Sequence, residues 1–329
     1  MRLASWNCAV ALVVVGCQGP PGGAGVSAPS GPEYSPAADA AVNPPELFEP
    51  FPFENPERAD ENATLMLHSM DSPESLNPLF LNTWSNGWVR DVLFDLLVFR
   101  NEEMESEPNF EIVESWEVSE DRRATTVTLK DNLRWQDGEP FTSADLVFSW
   151  KACTDVQVPA VFWQARAAEI GDAEIIDDRT VRFTHKNPTA IPTEHLYFPI
   201  VPEHIWNNPE ERAADPSLKN SEYHNYWARE ELVGNGPYRF VEWVASNRIV
   251  LERWDDYPGP RPHFQRIVLK IQPDRNTALL LFKKGELDEI WLTVQQFATQ
   301  TNDESFLRLG VKAWGPRSMY ANIGWNLDG

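Results

Sequence analysis

Apolar and polar positions alternate from Ala63 to Ser69 (ATLMLHS), the period of a strand with one buried face. Pro73 to Pro78 interrupts that pattern as a loop. From Asn86 to Val98 the period lengthens, and Val89, Val92, Leu93, Leu96 and Leu97 fall on one face of a predicted helix. Ile112–Val118 and Ala124–Lys130 read as strands either side of a polar turn at Glu120-Asp121. Gln136-Asp137-Gly138-Glu139-Pro140 predicts a tight turn. Thr142-Ser143-Ala144-Asp145 then opens a helix as a capping box, turning Leu146, Val147 and Trp150 inward. Glu174–Ile176 and Thr180–Thr184 flank Asp177-Asp178-Arg179 as a hairpin, and Tyr238–Val244 with Arg248–Trp254 forms another. Phe264–Gln272 is a further strand. Asp274 caps a helix that runs to Lys284 and stops at Gly285. Leu287–Leu292, Phe306–Trp314 and Ser318–Asn326 read as later strands. Helices and strands interleave without an internal repeat, which predicts a mixed α/β, or α+β, class.

The first residues follow a different logic. Arg2 precedes an apolar run, Cys8 to Val15, that is too short to span a bilayer. It ends at Val14-Val15-Gly16-Cys17, which resembles the lipobox of bacterial lipoproteins. That resemblance implies a signal peptide over 1–17, lipidation at Cys17, and an exported chain anchored by lipid at the periplasmic or cell-envelope face. No later stretch is apolar for long enough to cross a membrane. Residues 18–60 are rich in Pro, Gly, Ala and Ser and predict a tether without a packed core.

Composition narrows the chemistry. A length of 329 residues favours at least two folding units. A formal charge of −22 repels phosphate backbones, so no nucleic-acid partner is expected. Three cysteines, two of them in the leader, leave Cys153 as a lone thiol expected to be buried and inert. The six histidines (His68, His185, His195, His204, His224 and His263) show no ligand-like spacing, so no metal site and no cofactor is predicted. No nucleophile-elbow, zinc-protease or P-loop motif occurs, and Asp177-Asp178 is better read as a turn than as a catalytic pair, so no enzyme is predicted.

Five blocks carry a resemblance. They are Ser75-Leu76-Asn77-Pro78-Leu79 with Val92 to Val98 (VLFDLLV), Val113 to Asp121 (VESWEVSED), Leu129 to Trp150 (LKDNLRWQDGEPFTSADLVFSW), Gly234 to Phe240 (GNGPYRF) continuing through Ile249 to Tyr257, and Lys284 to Asp288 (KGELD). In order and spacing they resemble the peptide/nickel-binding group of bacterial extracellular solute-binding proteins. Asp95-Leu96 stands where that family usually has Glu-Gly. The resemblance implies a two-lobed fold like that of type II periplasmic binding proteins. Its expected parts are 61–98 as the start of the first lobe, 99–172 as a small inserted domain, 173–272 as the rest of the first lobe, and 273–329 as the start of a second lobe that stays incomplete, the chain being C-terminally truncated.

The same resemblance implies a function. Lobes closing about a hinge would capture a peptide or small-molecule ligand, and an ABC permease with its ATPase would receive it. A carrier of nickel or another small solute, or a lipoprotein that no longer binds, are the other readings. By position, the loop Thr83–Gly87 is expected to face the ligand, with Trp84 as an aromatic wall and Asn86 as an amide for a peptide backbone. Phe162 and Trp163 lie near the place where the family's small domain contributes an aromatic, although both also suit an ordinary core. Most motif residues have local structural explanations as turns, caps and strand starts, so the signature is mainly one of fold.

Overall fold

The computed structural model describes residues 62–79, 84–101, 105–155, 158, 160–207, 232–303 and 306. They fall into two compact units. One comprises 62–65 with 69–272, and the other 66–68 with the described residues from Pro273 on.

In chain order the named elements are β1 (Thr64–Ser69), α1 (Trp84–Leu93), β2 (Val98–Arg100), β3 (Ser106–Pro108), β4 (Val113–Val118), β5 (Ala124–Leu129), α2 (Ser143–Thr154), α3 (Val161–Ala167), β6 (Ile170–Ile175), β7 (Thr180–His185), α4 (Pro192–His195), α5 (Glu203–Trp206), β8 (Tyr238–Val244), β9 (Arg248–Arg253), β10 (Arg266–Ile271), α6 (Arg275–Lys283) and a π-turn (Gln296–Gln300). Two four-stranded sheets run β1-β10-β9-β8 and β4-β5-β7-β6, and β2 pairs with β3.

The second sheet shows how pattern becomes layer. Val127 lies opposite Val181 and Thr125 opposite Phe183. All four are buried, while Thr126 and Arg182 on the other face reach solvent. α2 packs on β6 and β7 with Leu146 and Val147 buried. Each such aliphatic or aromatic side chain contributes about 1.5–3 kcal/mol on burial. At the start of α2, Asp145 Oδ2 accepts from the Thr142 N–H at 2.8 Å, and Oδ1 accepts from the Glu203 N–H at 2.8 Å. One carboxylate thus caps α2 and α5 together. Burial pushes its carboxyl upward against those two amides.

The turn motifs are bound to each other. Gln136 donates to the carbonyls of Gly236 (2.9 Å) and Tyr238 (2.7 Å), and its Oε1 accepts from the Gly234 N–H (3.2 Å). A Cβ on Gly234 would stand 1.9 Å from the Leu93 carbonyl oxygen, and one on Gly236 2.7 Å from the Leu93 carbonyl carbon, so both positions need glycine. Between them, Asn235 Oδ1 accepts from the Asp95 N–H at 2.9 Å. Asp95 is buried and its Oδ2 accepts from the Tyr257 hydroxyl at 2.9 Å. Burial pushes the Asp95 carboxyl up to about 7, with the Tyr257 hydrogen bond pulling the other way and Glu111 adding to the rise.

These contacts correct the helix expected over Asn86–Val98. The last helical bond runs from Phe94 N to Arg90 O, and the next amide, that of Asp95, is taken by Asn235 instead. Leu96 then bridges Pro199 and Leu97 O accepts from Asn109 N, so both leucines are buried outside any helix. The boundary expected between 172 and 173 falls inside β6. The strand is hydrogen-bonded to β7 on both sides of that point, so the sheet continues to His185.

In the other unit, Asp274 Oδ1 accepts from the Thr277 N–H at 2.7 Å to cap α6, and Gly285 at φ +72° follows its end. Ala278, Leu279, Phe282, Leu287, Ile290, Leu292 and Phe306 form its core. Leu287–Leu292 is not a strand. Asp288 holds Met66 at two points, its Oδ2 accepting from Met66 N (2.7 Å) and its N–H donating to Met66 O (2.8 Å). Phe306 is helical rather than extended, and the remaining residues of the two expected C-terminal strands lie outside the described residues, as does the Cys17 region.

Candidate functional site

α1 begins at Trp84, so Trp84 and Asn86 occupy a first helical turn rather than a loop. Their side chains lie outside what is described. The opposite end of α1 places Arg90, which is only 5% exposed. Its Nε donates to Asp91 Oδ1 at 2.8 Å, and Nη2 meets the same oxygen. The guanidinium carbon stands 4.9 Å from the Trp163 ring centroid, a cation–π contact.

α3 presents the two aromatics in opposite ways. Trp163 is 0% exposed and donates its indole N–H to Pro78 O at 3.2 Å, which ties the loop before α1 to α3. Phe162 is 46% exposed and packs edge-on against Trp163, with centroids 4.7 Å apart. The sequence brings these two together; of the pair, Phe162 is the one a ligand could touch. Four residues on, Arg166 folds back, its Nη1 donating to Phe162 O at 3.2 Å. Its guanidinium lies 4.6 Å from the Phe162 ring and 5.7 Å from that of Tyr197. Arg100, from β2, lies 5.5 Å from the same Tyr197 ring.

Glu194 of α4 closes the group. Arg100 approaches it at 3.4 Å and Arg166 at 3.6 Å, and the Ser106 hydroxyl donates to it. Burial pushes the Glu194 carboxyl up, but Ser106, Arg100 and Arg166 together outweigh it and hold the group below its usual range. The Tyr197 hydroxyl is raised, by burial first and by Asp91 next, against the opposing pull of the three arginines. The result is a corner of aromatic faces and guanidiniums that can pack apolar groups and receive hydrogen-bond acceptors. Arg90, Arg100, Arg166 and Tyr197 carried no motif. Only Arg166 had a local signal, its spacing of four from Phe162 on one helix.

Two other groups bear on chemistry. His185 Nδ1 and His195 Nδ1 are 3.1 Å apart, and His185 Nε2 lies 2.8 Å from Thr125 Oγ1, so this pair is occupied by the fold. Cys153 is buried, and burial pushes its thiol far upward. Among the described residues no group of three or more His, Cys, Asp or Glu could hold a metal, and no helix is long and apolar enough to cross a membrane.

Residues 107–328 match the family described as bacterial extracellular solute-binding proteins, family 5 Middle. The oligopeptide-binding protein OppA of Bacillus subtilis is 28% identical over 72% of this chain and 44% of its own length. The oligopeptide-binding protein AppA of Bacillus subtilis, solved with a nonapeptide, superposes with a TM-score of 0.59 at 22% identity, over 70% of this chain and 44% of that one. NikZ of Campylobacter jejuni, solved with Ni(L-His), gives 0.61 at 22%, over 73% and 45%. The chain thus spans less than half the length of these relatives, and over that span it has the mixed α/β architecture of periplasmic binding proteins. With a match over most of its length, carried by the same blocks that the fold stitches together, the chain belongs to the bacterial extracellular solute-binding proteins of family 5.

Proposed function

We propose that this chain is the substrate-binding component of an ABC importer, exported and lipid-anchored through Cys17, and that its ligands are peptides. The supporting observation is the exposed Phe162 face beside Arg166 and Tyr197, in a chain whose relatives are named for oligopeptide binding. An aromatic face with adjacent donors suits an extended peptide, whose backbone offers carbonyls at regular intervals and whose side chains vary. Transfer to a permease and its ATPase would follow capture. Export and anchoring rest on the leader pattern at Val14-Val15-Gly16-Cys17.

Thermal unfolding of the chain with pentapeptide pools tests the binding claim. A ligand at a hundred times its Kd stabilises the folded form by about 2.7 kcal/mol, which gives a clear rise in Tm. A rise with Ni(L-His) and none with any peptide pool would replace peptides by a metal complex as the ligand. Metabolic labelling with a fatty-acid probe, lost in Cys17→Ala, tests the anchor.

A further inference from the structure

We infer that Arg166, with Arg90 behind it and Tyr197 and Phe162 beside it, forms a receiving point for a carboxylate of the ligand, so that acidic peptides are preferred over their neutral isosteres. This rests on the peptide-binding reading above and specifies the ligand chemistry of that site.

The local charge runs against that of the chain. Acidic residues outnumber basic ones by 50 to 28, yet three arginines from three elements converge on one tyrosine. Among the described residues two carboxylates answer them, Asp91 on Arg90 and Glu194 on Arg100 and Arg166, which leaves three positive charges facing two negative ones there. Arg90 carries a second sign of unused capacity. It is 5% exposed, and its Nη1 has no hydrogen-bond partner among the described residues. A buried guanidinium N–H left unmatched is costly, so a nearby anion is favoured. The field of Arg90 is little screened at such depth.

Arg166 is placed to make the direct contact. Its side chain is a quarter exposed and held by the Phe162 carbonyl and two rings. A guanidinium fixed in this way loses little freedom when it binds a carboxylate. Next to it, Val161 is 74% exposed and Phe162 46%, so the corner offers a cation flanked by apolar surface. It suits an Asp or Glu side chain, or a free C-terminus, adjoining an apolar residue.

The test uses pentapeptides of alanine carrying Glu, Gln or Lys at each position in turn, titrated calorimetrically into the full chain. At one position the Glu peptide should bind roughly tenfold more tightly than the Gln peptide, as a charge-assisted hydrogen bond implies. That ratio should shrink with added salt, and in Arg166→Gln it should fall to near one. Arg90→Lys, which keeps the charge, should retain more of the ratio than Arg90→Gln. Circular dichroism confirms that each variant is folded. A position scan in which the Gln or Lys peptides bind as tightly as Glu everywhere would overturn the inference while leaving peptide binding intact. So would a Glu preference that survives in a folded Arg166→Gln protein. Failure of every peptide to bind would instead remove the peptide reading, and this inference with it.

Discussion

The turn around Gln136 and the corner around Arg166 are built from opposite kinds of residue. At the turn, Gln136 and Asn235 bond backbone groups of Gly234, Gly236, Tyr238 and Asp95, Asp95 accepts from the Tyr257 hydroxyl, and the two glycines lie against the Leu93 carbonyl, with Asn235 Nδ2 the amide nitrogen left without a partner among the described residues. At the corner, charged and aromatic groups from α3, β2 and α4 are partly exposed, and among the described residues Arg90 Nη1 has no partner. The turn is made of family motif residues and the corner is not. The motif residues have their explanation in the fold, whereas the proposed ligand contact falls on residues outside the motif.

Substitutions can break this contrast. The largest effect is expected at Gly234→Ala, where the new methyl would meet the Leu93 carbonyl oxygen at 1.9 Å. A loss of about 4 kcal/mol or more in denaturant unfolding is expected from such overpacking against backbone. A change below about 1 kcal/mol would show that the junction yields freely.

Asp95 comes next, through pH. Its folded pKa of about 7 lies above the ordinary 3.8, so the folded state binds the extra proton between those values. Stability should fall as pH rises through that window, by up to about 4 kcal/mol for this group, and then level off. Glu289, pushed up to about 7 by burial, adds in the same sense. His185 and His195 are both lowered, by burial first, so they oppose it, costing stability as pH falls below about 6.5. Comparison with Asp95→Asn isolates the carboxyl: the variant's pH dependence over the window should be flatter. Equal slopes would refute the buried acid.

Gln136→Ala should cost about 2–3 kcal/mol, since it leaves two carbonyls and one N–H without partners. Arg166→Gln should be smallest in stability, within about 1 kcal/mol, because its ion pair with Glu194 is partly solvated. If Arg166→Gln proved as destabilising as Gln136→Ala, the corner would be structural and the comparison would fail.

The sequence made the turn legible because its signals are local. A capping box, an Asp-Gly turn and an Asp N-cap each need only neighbours a few residues away, and each stands where expected. The helix at 86–98 was misplaced because its end depends on Asn235, 140 residues later. Position 172 falls inside β6 for a similar non-local reason: β6 joins its sheet through β7, which lies between it and β5. Phe162 and Trp163 could be picked out as neighbours on one helix, but which of them reaches solvent depends on Pro78 and Arg90. Arg100 and Tyr197 share no spacing with α3, and only tertiary packing brings them to it.

Hydrogen–deuterium exchange of the full chain, with and without a saturating amount of the tightest Glu-bearing pentapeptide, tests the central claim most directly. The account predicts added protection in Val161–Ala167 and around Tyr197, with the β8–β9 hairpin unchanged. Protection confined to residues away from the Phe162 and Arg166 corner would contradict it.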